Sequence, residues 1–225
     1  MNVLARAFQR SRGTQPSVSA SAVDGQTIST SLGTDRIDIR ATAINRGGYA
    51  EAIGLDDSTV STLAGDDNVR IHAQARGLST NAWAMRNSSL DTGSGNDSVH
   101  LRASTRAGAF DPAYGALNSS IVLGDGQDSL HIGAKARGNT TDTIASYGAL
   151  ESQINTGADD DRVQIRSTAA NRLGLAEAIG LEASSLETEG GDDDINLHAG
   201  AYGNNTQAQA LHLSLIHISE PTRPY

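Results

Sequence analysis

The 225-residue chain repeats itself at intervals close to 32 residues. A chain built this way buries apolar surface only by stacking one repeat on the next. The register is marked by an Asp two places before an aliphatic residue: Asp35, Asp67, Asp97, Asp128, Asp161 and Asp193, at intervals of 32, 30, 31, 33 and 32. Behind each comes an alternating run such as DRIDIRATA, DNVRIHAQA or DRVQIRSTA, with aliphatics at the second and fourth places and a small residue at the sixth. A period of two marks a strand with one buried face. The remainder of each unit is also extended, with a small-residue column at Gly54, Ala84, Gly115, Gly148 and Gly180 and a closing aliphatic at Val60, Leu90, Ile121, Ile154 and Leu186.

Each unit therefore reads as two extended arms joined by two turns. Two topologies fit: an all-β parallel β-solenoid (β-helix or β-roll-like) of about six coils, or an antiparallel β-meander. The solenoid is preferred, because the inward positions are Ala, Gly, Ser and small aliphatics, which suit a thin coil. A meander of long strands needs closure or a cover, and so few large side chains offer neither. Leu, Ile, Val and Phe make up just under one-fifth of the chain, close to the level of disordered sequences. Their regular placement argues for a thin coil instead.

The one chemical signal lies in the turn before each anchored strand: SLGTD, LAGDDN, TGSGND, LGDGQD, TGADDD and EGGDDD. Twelve of the nineteen aspartates fall there. Glycine permits left-handed backbone, and carboxylates with loop carbonyls supply the hard oxygen ligands that suit Ca²⁺. Stacking brings these charges to within about 4.8 Å of one another, so the edge calls for counter-ions. The candidate ligating positions are Asp66, Asp67, Gly93, Gly95, Asn96, Asp97, Gly124, Asp125, Gly126, Asp128, Gly157, Asp159, Asp161, Gly190, Asp192 and Asp193.

TGSGNDSVHL (Thr92 to Leu101) and LGDGQDSLHI (Leu123 to Ile132) resemble the G-G-x-G-x-D-x-U-x nonapeptide of hemolysin-type (RTX-like) calcium-binding repeats, in a divergent long-coil form. The resemblance implies Ca²⁺ between stacked turns, held by the motif Asp (Asp67, Asp97, Asp128, Asp161, Asp193) and backbone carbonyls, and a type I secretion route. The motif glycines match Gly93, Gly95, Gly124 and Gly126, with Asp66, Asp159 or Asp192 at the second glycine in other copies. Here one turn per coil carries the motif, and the opposite turn is marked by Arg46, Arg76, Arg106, Arg137 and Arg172.

Other readings are narrower. Arg40, His72, Arg102, Arg166 and His198 lie on the exposed strand face, where they either bind a sulfated or carboxylated surface polysaccharide or form a solvated ladder. Thr30, Thr62, Thr92, Thr156 and Thr188 form a column similar to ice-binding arrays. The lack of cysteine excludes disulfides and thiolate metal sites. No apolar run of about 18 residues is present, so no membrane span is expected. A net charge of −9, with sixteen Arg and one Lys, argues against a nucleic-acid partner. The repeats leave no unique catalytic constellation, and no enzyme activity is expected.

The final segment LSLIHISEPTRPY reads as standing outside the repeat, and residues 213–223 resemble the translation of a transposase mosaic-end sequencing adapter. Residues 1–212 are thus expected to be a single β-solenoid domain, a fragment truncated at both ends, and 213–225 a non-native tail. The expected role is a calcium-binding structural repeat segment, spacer or adhesin-like, of a secreted or cell-surface bacterial protein, extracellular and in contact with neighbouring repeats of the same chain. The rival readings are a repeat region accompanying a secreted enzyme domain encoded elsewhere and a carbohydrate-binding module.

Overall fold

The computed structural model describes residues 2–11, 17–107 and 111–218. They form strands and no helix, and so contain no helix long and apolar enough to cross a membrane. Three extended segments make one coil. The first coil is β1 (Asn2–Ser11), β2 (Ser17–Asp24) and β3 (Thr27–Ser29). In the next two, both arms merge into one bent strand: β4 (Arg36–Asp56) then β5 (Thr59–Ser61), and β6 (Asn68–Arg86) then β7 (Ser89–Asp91). The arms separate in the following pair, with β8 (Ser98–Ala107), β9 (Asp111–Leu117) and β10 (Ser120–Val122), then β11 (Ser129–Gly138), β12 (Ile144–Leu150) and β13 (Gln153–Asn155). The last two are β14 (Arg162–Glu182) with β15 (Ser185–Thr188), and β16 (Asp194–His212) with β17 (Leu215–Ile218).

Every strand pairing among the described residues is parallel and joins a strand to its counterpart one coil away. Arg36 sits beside Asn68, Asn68 beside Ser98, and Ser129 beside Arg162. The chain is a β-solenoid of about six full turns, with β16 and β17 beginning a further one, and the antiparallel meander is excluded.

Two features depart from the sequence reading. The second arm does not run through to its closing aliphatic. It ends at a left-handed residue (Asp57, Asn87, Asn118, Glu151, Ala183 and Leu213, φ 43–49°), and the aliphatic belongs to the short third strand beyond. Asp57, Asn87 and Asn118 are residue types that accept left-handed backbone, but Glu151, Ala183 and Leu213 carry no such signal, so the turn did not read as a column. The segment from Leu213 also does not stand outside the repeat within the described residues: Leu215–Ile218 pair in register with Ser185–Thr188.

The cross-section tapers. Where the arms meet at the Arg-marked bend, alanines face each other (Ala41, Ala43, Ala50 and Ala52 in one coil). Towards the acidic edge the arms part and the third strand closes the gap, so Ile37, Ile39, Leu55 and Val60 fill the space. The small-residue column follows from this taper. A Cβ on Gly148 would strike both the Ile165 Cγ2 methyl and the Gly180 carbonyl, and Gly54 and Gly115 face Ile71 and Ile132 in the same way. Where the equivalent facing residue is Leu101, unbranched at Cβ, the column holds Ala84.

A serine column forms a polar seam beside the core. The Oγ atoms of Ser58, Ser88, Ser119, Ser152, Ser184 and Ser214 each accept the backbone N–H one coil below (from Gln26, Ser58, Ser88, Ser119, Ser152 and Ser184) at 3.0–3.3 Å. Each hydroxyl donates to the carbonyl two residues earlier, as Ser119 does to Leu117. Sequence reasoning missed this column, although the Ser recurs two places before every closing aliphatic. Gly148→Ala should destabilise the chain by about 1–3 kcal/mol through overpacking, and Ile165→Leu in the same chain should recover part of that loss. Urea unfolding of the single and double variants checks this; strictly additive losses would contradict the packing account.

Candidate cation-binding edge

The acidic turns join each third strand to the first arm of the next coil, and they stack as closely as the strands do. Gly65 N–H donates to the Ser94 carbonyl, and Gly95 N–H to the Asp125 carbonyl, both at 2.8 Å. Four of the six turns hold two left-handed positions, and the first and last hold only the later one. The earlier holds Gly93, Gly124 and Gly157 (φ 87–97°) and Leu63 (φ 70°). The later holds Gly33, Gly65, Gly95, Gly126 and Gly191 (φ 101–132°) and Asp159 (φ 82°). Substitution of the second motif glycine is therefore confined to Asp159 in these turns. Asp66 and Asp192 stand one place further on, beside Gly65 and Gly191, and Gly190 is not left-handed but bridges Ala158. At the later position a Cβ on Gly95 would come within 2.5 Å of the Gly65 carbonyl oxygen, so glycine is needed for contact as well as for φ.

The candidate acids fall into two sets. Asp66, Asn96, Asp125, Asp159, Asp160 and Asp192 point outward and are exposed. Asp66 Oδ1 accepts the Asn96 N–H at 2.9 Å, Asn96 Oδ1 that of Gln127 at 2.9 Å, and Asp160 Oδ1 that of Asp192 at 2.8 Å. The motif Asp of each coil turns inward instead. Asp67, Asp97, Asp128 and Asp161 are only 2–3 % exposed, and Asp193 is half-buried. Their Oδ1 atoms accept the N–H of the motif Asp one coil below: Asp67 from Asp35 (2.7 Å), Asp97 from Asp67 (2.8 Å), Asp128 from Asp97 (2.7 Å), Asp161 from Asp128 (2.9 Å) and Asp193 from Asp161 (3.0 Å). The Oδ2 atoms of these five are buried and make no hydrogen bond among the described residues.

The threonines lie beneath this row and face inward. Thr62, Thr92, Thr156 and Thr188 are fully buried, and Thr62 Oγ1 donates to the Thr92 carbonyl at 3.1 Å. This is a core column and not a surface array. Its break, Leu123, joins the aliphatic core.

Burial raises the proton affinity of three acids in the row. It pushes Asp97 up to about 6, Asp128 to about 7 and Asp161 to about 6, partly offset by the nearby hydroxyls of Thr92 at Asp97 and Thr156 at Asp161 and by the backbone N–H each accepts. Neighbouring carboxylates push the same way, Asp97 and Asp161 acting on Asp128 from either side.

The donor chemistry at this edge is oxygen alone, which fits Ca²⁺ and not a transition metal. Five buried carboxylate oxygens without a donor also fit a cation. The side chains do not form a ready cage: among the described residues no three His, Asp or Glu groups converge tightly enough to hold an ion. Comparison with family models, curated proteins and solved structures returns no match.

The sign of the pH dependence follows from these values. The folded carboxyls titrate above the unfolded value of about 3.9, so the folded chain holds more protons in between. Stability in chelator should be greatest below about pH 4 and fall as pH rises through about 7. Asp128→Asn keeps an oxygen for the Asp97 N–H and removes the charge, so it should flatten this slope and stabilise the chain at neutral pH. Urea unfolding between pH 4 and 8 checks both, and stability that rises with pH would contradict them.

Proposed function

We propose that this chain is a structural β-solenoid segment of a secreted or cell-surface protein, a rigid spacer or adhesive stalk whose acidic edge takes up Ca²⁺. The observation that carries the reading is the inward row of Asp67, Asp97, Asp128, Asp161 and Asp193, each with a buried Oδ2 and no donor. A carboxylate so placed needs a proton or a cation, and at neutral pH a cation is the readier of the two.

In this reading the row would supply carboxylate oxygens, with Asp66, Asn96, Asp125, Asp159 and Asp192 adding charge outside it and turn carbonyls adding neutral oxygens. With no more than two side-chain carboxylates near one ion, affinity falls in the range of extracellular modules, about 10⁻⁴–10⁻³ M. Such an edge would be loaded where calcium is millimolar, which is the support for a place outside the cell. The structural role is supported by repetition: the polar columns recur from coil to coil, giving a stiff rod of uniform section.

Thermal melting of the chain in chelator, then in CaCl₂ or MgCl₂ up to about 10 mM, tests this. Melting temperature should climb with Ca²⁺ as binding to the folded form alone requires, and less with Mg²⁺. Asp97→Asn with Asp128→Asn keeps the hydrogen-bonded oxygens and should remove most of the climb. No shift with Ca²⁺, or an undiminished shift in the double variant, would overturn the reading.

A further inference from the structure

The second feature of the molecule is a segregated positive face. The outward positions of the first arms form straight columns, one of which runs Arg40, His72, Arg102, Gly133, Arg166, His198. On one side of it lie Arg70, His100 and His131, and towards the bend Arg76, Arg106 and Arg137. The first arms of four consecutive coils (68–77, 98–107, 129–138 and 162–171) contain eight Arg or Lys and no Asp or Glu. This occurs in a chain whose net charge is −9.

Three guanidinium groups are paired: Arg86 holds Asp56 and Glu51, Arg40 at the start of the central column holds Asp38, and Arg162 reaches Asp194. On the positive face Arg70, Arg76, Arg102, Arg106, Arg137 and Arg166 make no ion pair among the described residues. The cations also crowd one another. Burial, then Arg137, Arg102 and Arg166, lowers the proton affinity of Lys135, and burial, then His131 and Arg102, lowers that of His100. Gly133 leaves a gap in the central column, with no backbone or side chain near the space a Cβ would fill closer than 3.5 Å. The gap opens a groove of about 510 Å³ lined by His100, Arg102, Lys135, Arg137 and Arg166.

We infer that this face is a docking surface for a linear anionic polysaccharide, its carboxylate or sulfate groups seated along the groove at Gly133 between Arg102 and Arg166. Equivalent side chains recur about every 4.8 Å along the stack, so the face offers a periodic row of cations to a periodic row of anions. Guanidinium forks match carboxylate and sulfate oxygens in pairs. A polysaccharide fits better than nucleic acid, because the groove's rings are few: Tyr202 at its end, and His100 and His131, which meet edge to face at 4.7 Å and form no continuous platform for bases. The acidic edges would also repel a broad polyanion that overran the face.

Binding of polygalacturonate and of dextran sulfate to the full chain, with neutral dextran and with single- and double-stranded DNA for comparison, tests the inference. The charged glycans should bind at low salt and release as the Debye length shrinks to about 3 Å near 1 M salt; dextran should not bind. The arms separate carboxylate from sulfate recognition. Arg102→Ala with Arg166→Ala should weaken binding by about tenfold or more, with the melting temperature unchanged, since both side chains are exposed. No glycan binding at low salt would overturn it, as would an affinity indifferent to the double variant. Tighter binding of either DNA than of both glycans would assign the face to nucleic acid and overturn it equally.

Discussion

In a parallel stack held in register, every side chain meets its own counterpart one coil away, and the chemistry of that self-encounter decides what each column can be. Serine suits the encounter, because a hydroxyl both donates and accepts. Ser119 Oγ takes the Ser88 N–H and gives its proton to Leu117, so the column is satisfied without help. Alanine and isoleucine suit it by packing. Aspartate suits it only in part. One oxygen of Asp97 takes the Asp67 N–H, and the other has no donor to meet. A typical hydrogen bond adds about 1 kcal/mol net, whereas an unsatisfied buried polar group costs more than that. The same geometry that knits the coils together therefore leaves a line of uncompensated charge, and the acidic edge depends on what neutralises it.

The tapered section explains how a chain so poor in large apolar residues holds together. At the bend the arms approach closely enough that alanines fill the space, and bulk is needed only where the third strand spans the wider end. Size is matched at three coils, where Gly54, Gly115 and Gly148 face isoleucine, whereas Gly180, at the equivalent place opposite Leu197, is crowded by the Ala210 backbone alone. Charge is segregated as well. The turns gather the carboxylates, and the first arms gather the guanidinium groups on the flat face around Gly133.

Much of this was legible in the sequence, because strand alternation and a fixed repeat length are both periodic signals. The anchors from Asp35 to Asp193 and the inward aliphatics behind them fix the first-arm ladder in full. The third strand was not legible, since residues such as Glu151 and Ala183 adopt left-handed backbone without being glycine. Nor was the direction of the turn residues. Asp66 and Asp67 are adjacent in sequence, yet one is exposed and the other buried, and only the stacking of turns decides which points inward. The threonine column was likewise visible as a column, but its orientation was not. The serine seam escaped because serine before a strand is common in turns, and its role exists only between coils.

Carboxyl ¹³C NMR of the metal-free chain, followed across pH and then with added Ca²⁺, reads the aspartate row itself. The account predicts that Asp97, Asp128 and Asp161 titrate as a coupled group near pH 6–7, well above the unfolded value of about 3.9. Calcium at neutral pH should shift the row's signals and suppress its titration. Carboxyls in the row that titrate near the ordinary value and do not respond to Ca²⁺ would contradict the account.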